Sequence, residues 1–436
     1  MNTVIASLFV FFPVEAQQKG ASESTIGVIN AIPTMGLIVF SLFLPALISA
    51  EMKKWFFVVG IIISSVCTIL FGVNDYSPYG WQYNTLCVLI QMILGMGSAC
   101  ISSTALPLAI ACFPNKSNSI TAWVSFMSGI GSIIGSFLGT ILFNIFGYVN
   151  LFIIIGSFCL ITSFIAIVFV TDYSHPEYIE LDDYGDIDSI NLSTVKFLKY
   201  LFYPETILVS LSLFATGYIA GFVGVILGPW LVSWFHVAAS DIGMFVLPMS
   251  ITLTFSPFLA SFIIGKGFVG YILIIASLSL IAAQGCWLLP YYSEEYATLL
   301  TIEVGLGLFG IAAGFFTVGM YLIYEKIAIR RNYLNMQINK VMVATTLNII
   351  LTLGYVVGPS VFGGWLNQYF GVKNTMITLL IIQVISLLIL IPVLWKNDFF
   401  FRTYYNQRTK SIVVNQFSEI CELSMSINIK HFTVSD

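Results

Sequence analysis

SGIGSIIGSFLGTILFNIFGYVN (Ser128 to Asn150) and LGYVVGPSVFGGWLNQYFGVKN (Leu353 to Asn374) decide how this chain is read. Each is an apolar stretch of about the ~20 residues that cross a bilayer as a helix. Each is studded with glycines, which let helix backbones approach closely in lipid. Each closes on the same F-G-x-x-N turn, at Phe146–Asn150 and Phe370–Asn374. The pattern predicts an internal duplication of the kind found in secondary transporters.

Outward from these two stretches the chain continues as apolar spans. Beyond a first, partial helix they run at 26–49, 55–73, 84–111, 119–143, 149–171, 204–233, 241–264, 267–289, 299–324, 341–366 and 373–394. The expected architecture is an all-α polytopic membrane protein of twelve helices, in two six-helix bundles at 1–171 and 204–394. An acidic cytoplasmic linker at 172–203 and a cytoplasmic tail at 395–436 complete it. The opening stretch, with Ile5 to Phe12 as its apolar part, lacks the basic start and cleavage site of a signal peptide. It reads as the outer end of a first helix whose cytoplasmic half is missing or unusually polar.

Composition supports this class. The 436 residues are 58% hydrophobic and only 9% charged, against about 25% charged in soluble domains. Fifteen of the 17 Lys and Arg fall on one side of the expected topology, leaving Lys19 and Lys373 on the other. The side rich in positive charge is cytoplasmic, which places the C-terminus there. Both glycosylation sequons, at Asn115 and Asn191, then face the cytoplasm and go unused. The acidic run EYIELDDYGDID (Glu177 to Asp188) has no apolar period and reads as a solvated loop. The seven cysteines form no CxxC and read as buried small hydrophobes. No metal site, cofactor or nucleic-acid partner is expected, and no glycine run follows a strand as a phosphate loop requires. The chain does not read as an enzyme.

Three further stretches carry a resemblance. FFPVEAQQKGASESTIGVI (Phe11 to Ile29), LGMGSACISSTALPLAIACFPN (Leu94 to Asn115) and LGPWLVSWFHVAASDIGMFVL (Leu227 to Leu247) resemble matching segments of the major facilitator superfamily. The nearest likeness is to its vesicular amine transporter group, and within that to the vesicular polyamine transporter-like branch. The resemblance covers nearly all of 11–394. It implies alternating access, a small organic cation such as a polyamine or monoamine as substrate, proton exchange, and a vesicle or plasma membrane as the host bilayer.

The departures from the family pattern are specific. PALISAEMKKWFF (Pro45 to Phe57) lacks the Asp and Arg-Gly of the inner gate, with Glu51, Lys53 and Lys54 as loose substitutes. Gln91 stands where the family has a membrane-embedded Arg, so the resemblance points it at the central cavity. The antiporter signature survives as Gly131, Gly135, Ser136, Gly139 and Thr140, without its proline.

Candidate site residues follow. A carboxylate inside a span costs on the order of 2.5–3.5 kcal/mol on insertion scales, so it is a functional suspect. Glu303, about one turn inside the tenth span, is the candidate to pair a cation or bind a proton; the alternative is that it reaches the headgroups. Gln91, Asn348 and Tyr218 are candidate cavity residues, with Asn30, Gln284 and Trp230 as lesser ones. Their plain alternative is interhelical hydrogen bonding. Glu15 could line an outer vestibule. Glu205 and Asp241 read as helix-start residues favoured by the helix dipole. Gly131, Gly135, Gly139, Gly354, Gly358, Gly363 and Gly364 read as packing positions that double as a gate seam, and Pro359 as a bend. Two other functions stay open: an uncoupled facilitative carrier, and a non-transporting receptor or scaffold that keeps the fold.

Overall fold

The computed structural model describes residues 2–47, 53–78, 80–112, 117–170, 200–264, 268–293, 298–330 and 336–396. The acidic linker, most of the tail, both sequons and the stretch around Glu51 lie outside the described residues. The helices are α1 (Asn2–Gln18), α2 (Glu23–Leu47), α3 (Lys53–Val73), α4 (Trp81–Cys112) and α5 (Ser117–Phe169). After the linker come α6 (Pro204–Phe235), α7 (Ile242–Ile264), α8 (Val269–Leu288), α9 (Leu299–Arg330), α10 (Met336–Val357) and α11 (Asn367–Lys396). A π-helical segment, Gly358–Leu366, joins α10 to α11. There is no strand among the described residues.

Nine segments of the described residues are long and apolar enough to cross a membrane. Two of them, Phe126–Phe169 and Thr346–Lys396, are 44 and 51 residues long and run through glycine turns, so each holds two of the expected twelve spans, and the 17-residue α1 is not among the nine. At Gly147 (φ 77°, ψ 179°) and Gly371 (φ 76°, ψ 163°) the chain turns without a loop. That backbone region is essentially closed to residues with a Cβ. Three residues later, Asn150 Nδ2 donates to the Phe146 carbonyl at 2.9 Å, and Asn374 Nδ2 donates to the Phe370 carbonyl at 3.0 Å. The two F-G-x-x-N motifs thus make one and the same turn. The spans expected at 119–143 and 149–171 are the arms of α5 on either side of Gly147.

The glycines of α5 form a groove that receives α1. Thr3 Oγ1 donates to the Gly131 carbonyl and Ser7 Oγ to the Gly135 carbonyl, both at 3.0 Å. Asn2 Nδ2 donates to the Ser128 carbonyl at 3.1 Å. Donors at i and i+4 on α1 match acceptors at i and i+4 on α5, so one face of each helix is used. One turn on, Phe11 lies over Gly139 and stacks on Phe143 at 4.9 Å. In an apolar surround these bonds satisfy hydroxyls that would otherwise be costly. Outward-facing positions such as Phe158, Ile161, Phe164 and Ile165 stay exposed and form the lipid-facing surface of the second arm.

The sequence predicts a bend at Pro359, and there nine residues from Gly358 to Leu366 adopt the wider π form. Proline removes one i→i−4 donor, and π turns recur at functional sites. The segment is gripped by α6, where Gly358 meets the Tyr218 carbonyl, Gly221 meets the Pro359 ring and Gly217 meets Gly354. α6 is the most enclosed of the spans.

Candidate functional site

The first five helices meet the last six along a seam of small residues. Gly27 of α2 lies so close to the π segment that a Cβ there would overlap the Pro359 carbonyl oxygen and reach 3.1 Å from Gly364. Glu23 Oε2 accepts from Asn367 Nδ2 at 2.6 Å, and Ser24 Oγ bonds the Gln368 side chain. Gly224 and Gly228 of α6 press against Phe9 and Val14 of α1, and Gly243 of α7 presses against Ser136 and Thr140 of α5. By the Lys/Arg bias of the sequence, the end that holds Lys19, Asp75 and Asn367 is the expected outer end. The seam contacts of α1, α2 and the π segment cluster toward that end.

Gln91 is fully buried on α4, and neither amide atom has a partner. Asn30 on α2 is in the same state. Their helices pack closely where Gly36 meets Met92 and Gly95. Tyr218 is buried on α6 with its ring 5.5 Å from Phe214 and 5.1 Å from Phe362, and its hydroxyl has no partner. Buried polar groups without partners are costly. Asn348 is exposed on α10, between buried Leu347 and Ile350.

Glu303 lies half-buried on α9. It shares a stripe with Gly307, Gly310 and Gly314, the residues that press against Thr252 and Ser256 of α7. No hydrogen bond, ion pair or ring contact links Glu303, Gln91, Asn348 and Tyr218 to one another among the described residues. Glu205 sits in the first turn of α6, as expected, and faces Lys396 at 3.6 Å. Asp241 sits in the turn before α7. Gln284 is buried on α8 without a partner, and Trp230 stacks on Tyr291 at 5.9 Å.

One cluster escaped the sequence reading. At the outer end Lys19 forms an ion pair with Asp75 and donates to the Asp75 carbonyl at 2.6 Å. Its ammonium stands 5.1 Å from the Tyr83 ring centroid. Asn74 Nδ2 donates to the Tyr83 carbonyl at 3.4 Å and to Cys87 Sγ at 3.2 Å, fixing the turn that carries Asp75. Glu15, in the last turn of α1, is half-buried beside them. Burial holds its carboxyl above the usual range, Asp75 adds to this, and Lys19 opposes it. The only sequence signal was an Asn-Asp pair after the third span, and Asp75 lies 56 residues from its lysine.

Lipid-facing spans in two halves that meet along seams of small residues are an architecture shared by many secondary transporters. The chain belongs to the Major Facilitator Superfamily, whose family profile matches residues 2–332. It is 29% identical over 248 residues to the mouse MFS-type transporter SLC18B1, and 27% identical over 246 residues to the human one. Each of these alignments covers 56% of this chain and 51% of the relative. The rat protein of the same name is 35% identical over 153 residues, which is 35% of this chain and 33% of the relative. The chain therefore spans about half the length of the relatives it matches. Among solved structures, the nucleoside transporter NupG aligns over 90% of this chain and 95% of its own, with a TM-score of 0.65 at 12% identity. A bacterial homolog of the human lysosomal transporter Spinster, in an inward-facing and occupied conformation, aligns over 90% of this chain and 93% of its own. Its TM-score is 0.64 at 14% identity. These likenesses are of fold.

Proposed function

We propose that the chain is a secondary transporter of a small organic cation, working by alternating access between two six-helix bundles, 1–171 and 204–394. The observation that carries this is the seam. Gly27 against Pro359, with the Glu23–Asn367 bond beside it, brings α2 against the π segment at the outer end. Contacts made by small residues and a few exchangeable hydrogen bonds can part and re-form without disturbing the packing inside either bundle. The resemblance to vesicular amine transporters supports an amine as substrate and a vesicle or plasma membrane as host, with the C-terminus in the cytoplasm. Glu303, Gln91, Tyr218 and Asn348 remain the proposed cavity residues, and Glu15 the proposed vestibule residue.

A second reading, uncoupled facilitation, is favoured by one feature. Gln91, where the family resemblance implies an arginine, is a neutral amide, and an antiporter needs groups that titrate. The two readings separate in proteoliposomes. Uptake of labelled spermidine with and without an imposed pH gradient is compared for wild type and Glu303→Gln. Proton exchange predicts gradient-driven uptake that Glu303→Gln abolishes. Facilitation predicts uptake indifferent to the gradient, with at most a change of apparent affinity in the variant.

A further inference from the structure

Lys19 is held as a ligand would be. A primary ammonium has three donors and no acceptor, and it is recognised by a carboxylate, a carbonyl oxygen and an aromatic face. Asp75 supplies the carboxylate and, through its own backbone, the carbonyl, while Tyr83 supplies the face. The surround is richer than Lys19 alone requires. Lys19 is paired with Asp75, which leaves the Glu15 carboxyl as a further acid at the rim. Tyr148, at the start of the second arm of α5, is only 6% exposed, and its hydroxyl has no partner. It lies within electrostatic reach of Tyr83, Cys87, Asp75 and Glu15. The titratable groups around Glu15 are Lys19, Asp75, Tyr83 and Tyr148. The Lys19 side chain keeps 21% of its surface open, so the pocket can be reached from solvent. Lys19 is followed by Gly20 at φ 87°, in the turn between α1 and α2, so its stem enters from a turn and not from a packed helix face.

We propose that Asp75 and Tyr83 form a subsite for primary ammonium ions at the outer mouth, with the chain's own Lys19 as its resident occupant. An external alkylammonium fits the same contacts once Lys19 is withdrawn. The role of the subsite, capture or release of substrate amines, rests on the organic-cation reading above. Its chemistry does not.

The test is chemical rescue. Lys19→Ala removes the equivalent of n-propylammonium from the pocket. The purified full-length variant is titrated with n-propylammonium chloride, and thermal unfolding is followed. The expected result is a saturable rise in Tm, absent with sodium or tetramethylammonium chloride, smaller in wild type, where Lys19 competes for the same contacts, and lost in Lys19→Ala combined with Asp75→Asn. No ammonium-specific rise in Lys19→Ala, or an equal rise in the double variant, overturns the proposal. If Lys19→Ala does not fold, Lys19→Ser is titrated in the same way with the same salts, and absence of an ammonium-specific rise there overturns the proposal equally. Rescue without uptake of spermidine would count against the organic-cation reading and leave the subsite standing. Uptake without rescue would do the reverse.

Discussion

Two carboxylates share one lysine at the outer mouth, and the order of partners decides how each behaves. Asp75 holds Lys19 directly, while Glu15 stays partly desolvated beside a second negative charge. A carboxyl whose folded pKa is raised binds its proton more tightly in the folded state. The fold therefore gains stability below the usual carboxylate range and loses it as pH rises through the folded value. Glu15→Gln carries no such penalty. Thermal unfolding across an acid-to-neutral series should show Glu15→Gln more stable than wild type at neutral pH, with the gap closing in acid. A wild type that is the more stable of the two at neutral pH would mean that Lys19 binds Glu15 as a carboxylate after all. Glu15 was singled out from a short matching segment of the family, and its neighbours were not. Asp75, Tyr83 and Tyr148 come from three different stretches of the chain, and nothing in their local sequence marks them as convergent.

The elements were read more fully than the site. Glycine spacing and the F-G-x-x-N endings predicted both paired turns, and the structure gives each the same positive-φ glycine and asparagine cap. The cause is local: one backbone conformation that only glycine tolerates, and one side chain that reaches back a turn. A Cβ at Gly147 or Gly371 would have no heavy atom within 4 Å, so a substitution there acts through backbone strain alone. Gly147→Ala and Gly371→Ala should each cost about 1–3 kcal/mol, read as a fall in Tm of similar size for the two. A loss at one and not at the other would break the equivalence of the turns. The widening of the helix at Pro359 was not legible. Proline announces a lost donor, but whether a helix bends or widens depends on what grips it, here α6 and α2 through Gly221 and Gly27.

At the scale of the molecule, membership of the family was carried by segments dispersed over most of the chain, because loops and small-residue faces keep local signatures. The cavity was harder. Its proposed residues are single amides, a tyrosine and one carboxylate in apolar runs, and a span that packs and a span that lines a cavity have the same composition. The structure leaves Gln91 and Asn30 buried with unpartnered amides, on helices that pack side by side. A transporter built this way must expose one binding site to each side in turn, whatever ion is coupled to it. Counterflow reads that property without any imposed proton gradient. Liposomes containing the purified protein are loaded with unlabelled spermidine or serotonin and diluted into a trace of the same labelled amine. Alternating access to an amine site predicts a transient, saturable accumulation of label above equilibrium for at least one of the two, absent from protein-free liposomes. Label that only equilibrates for both amines, at the rate of protein-free liposomes, would contradict it.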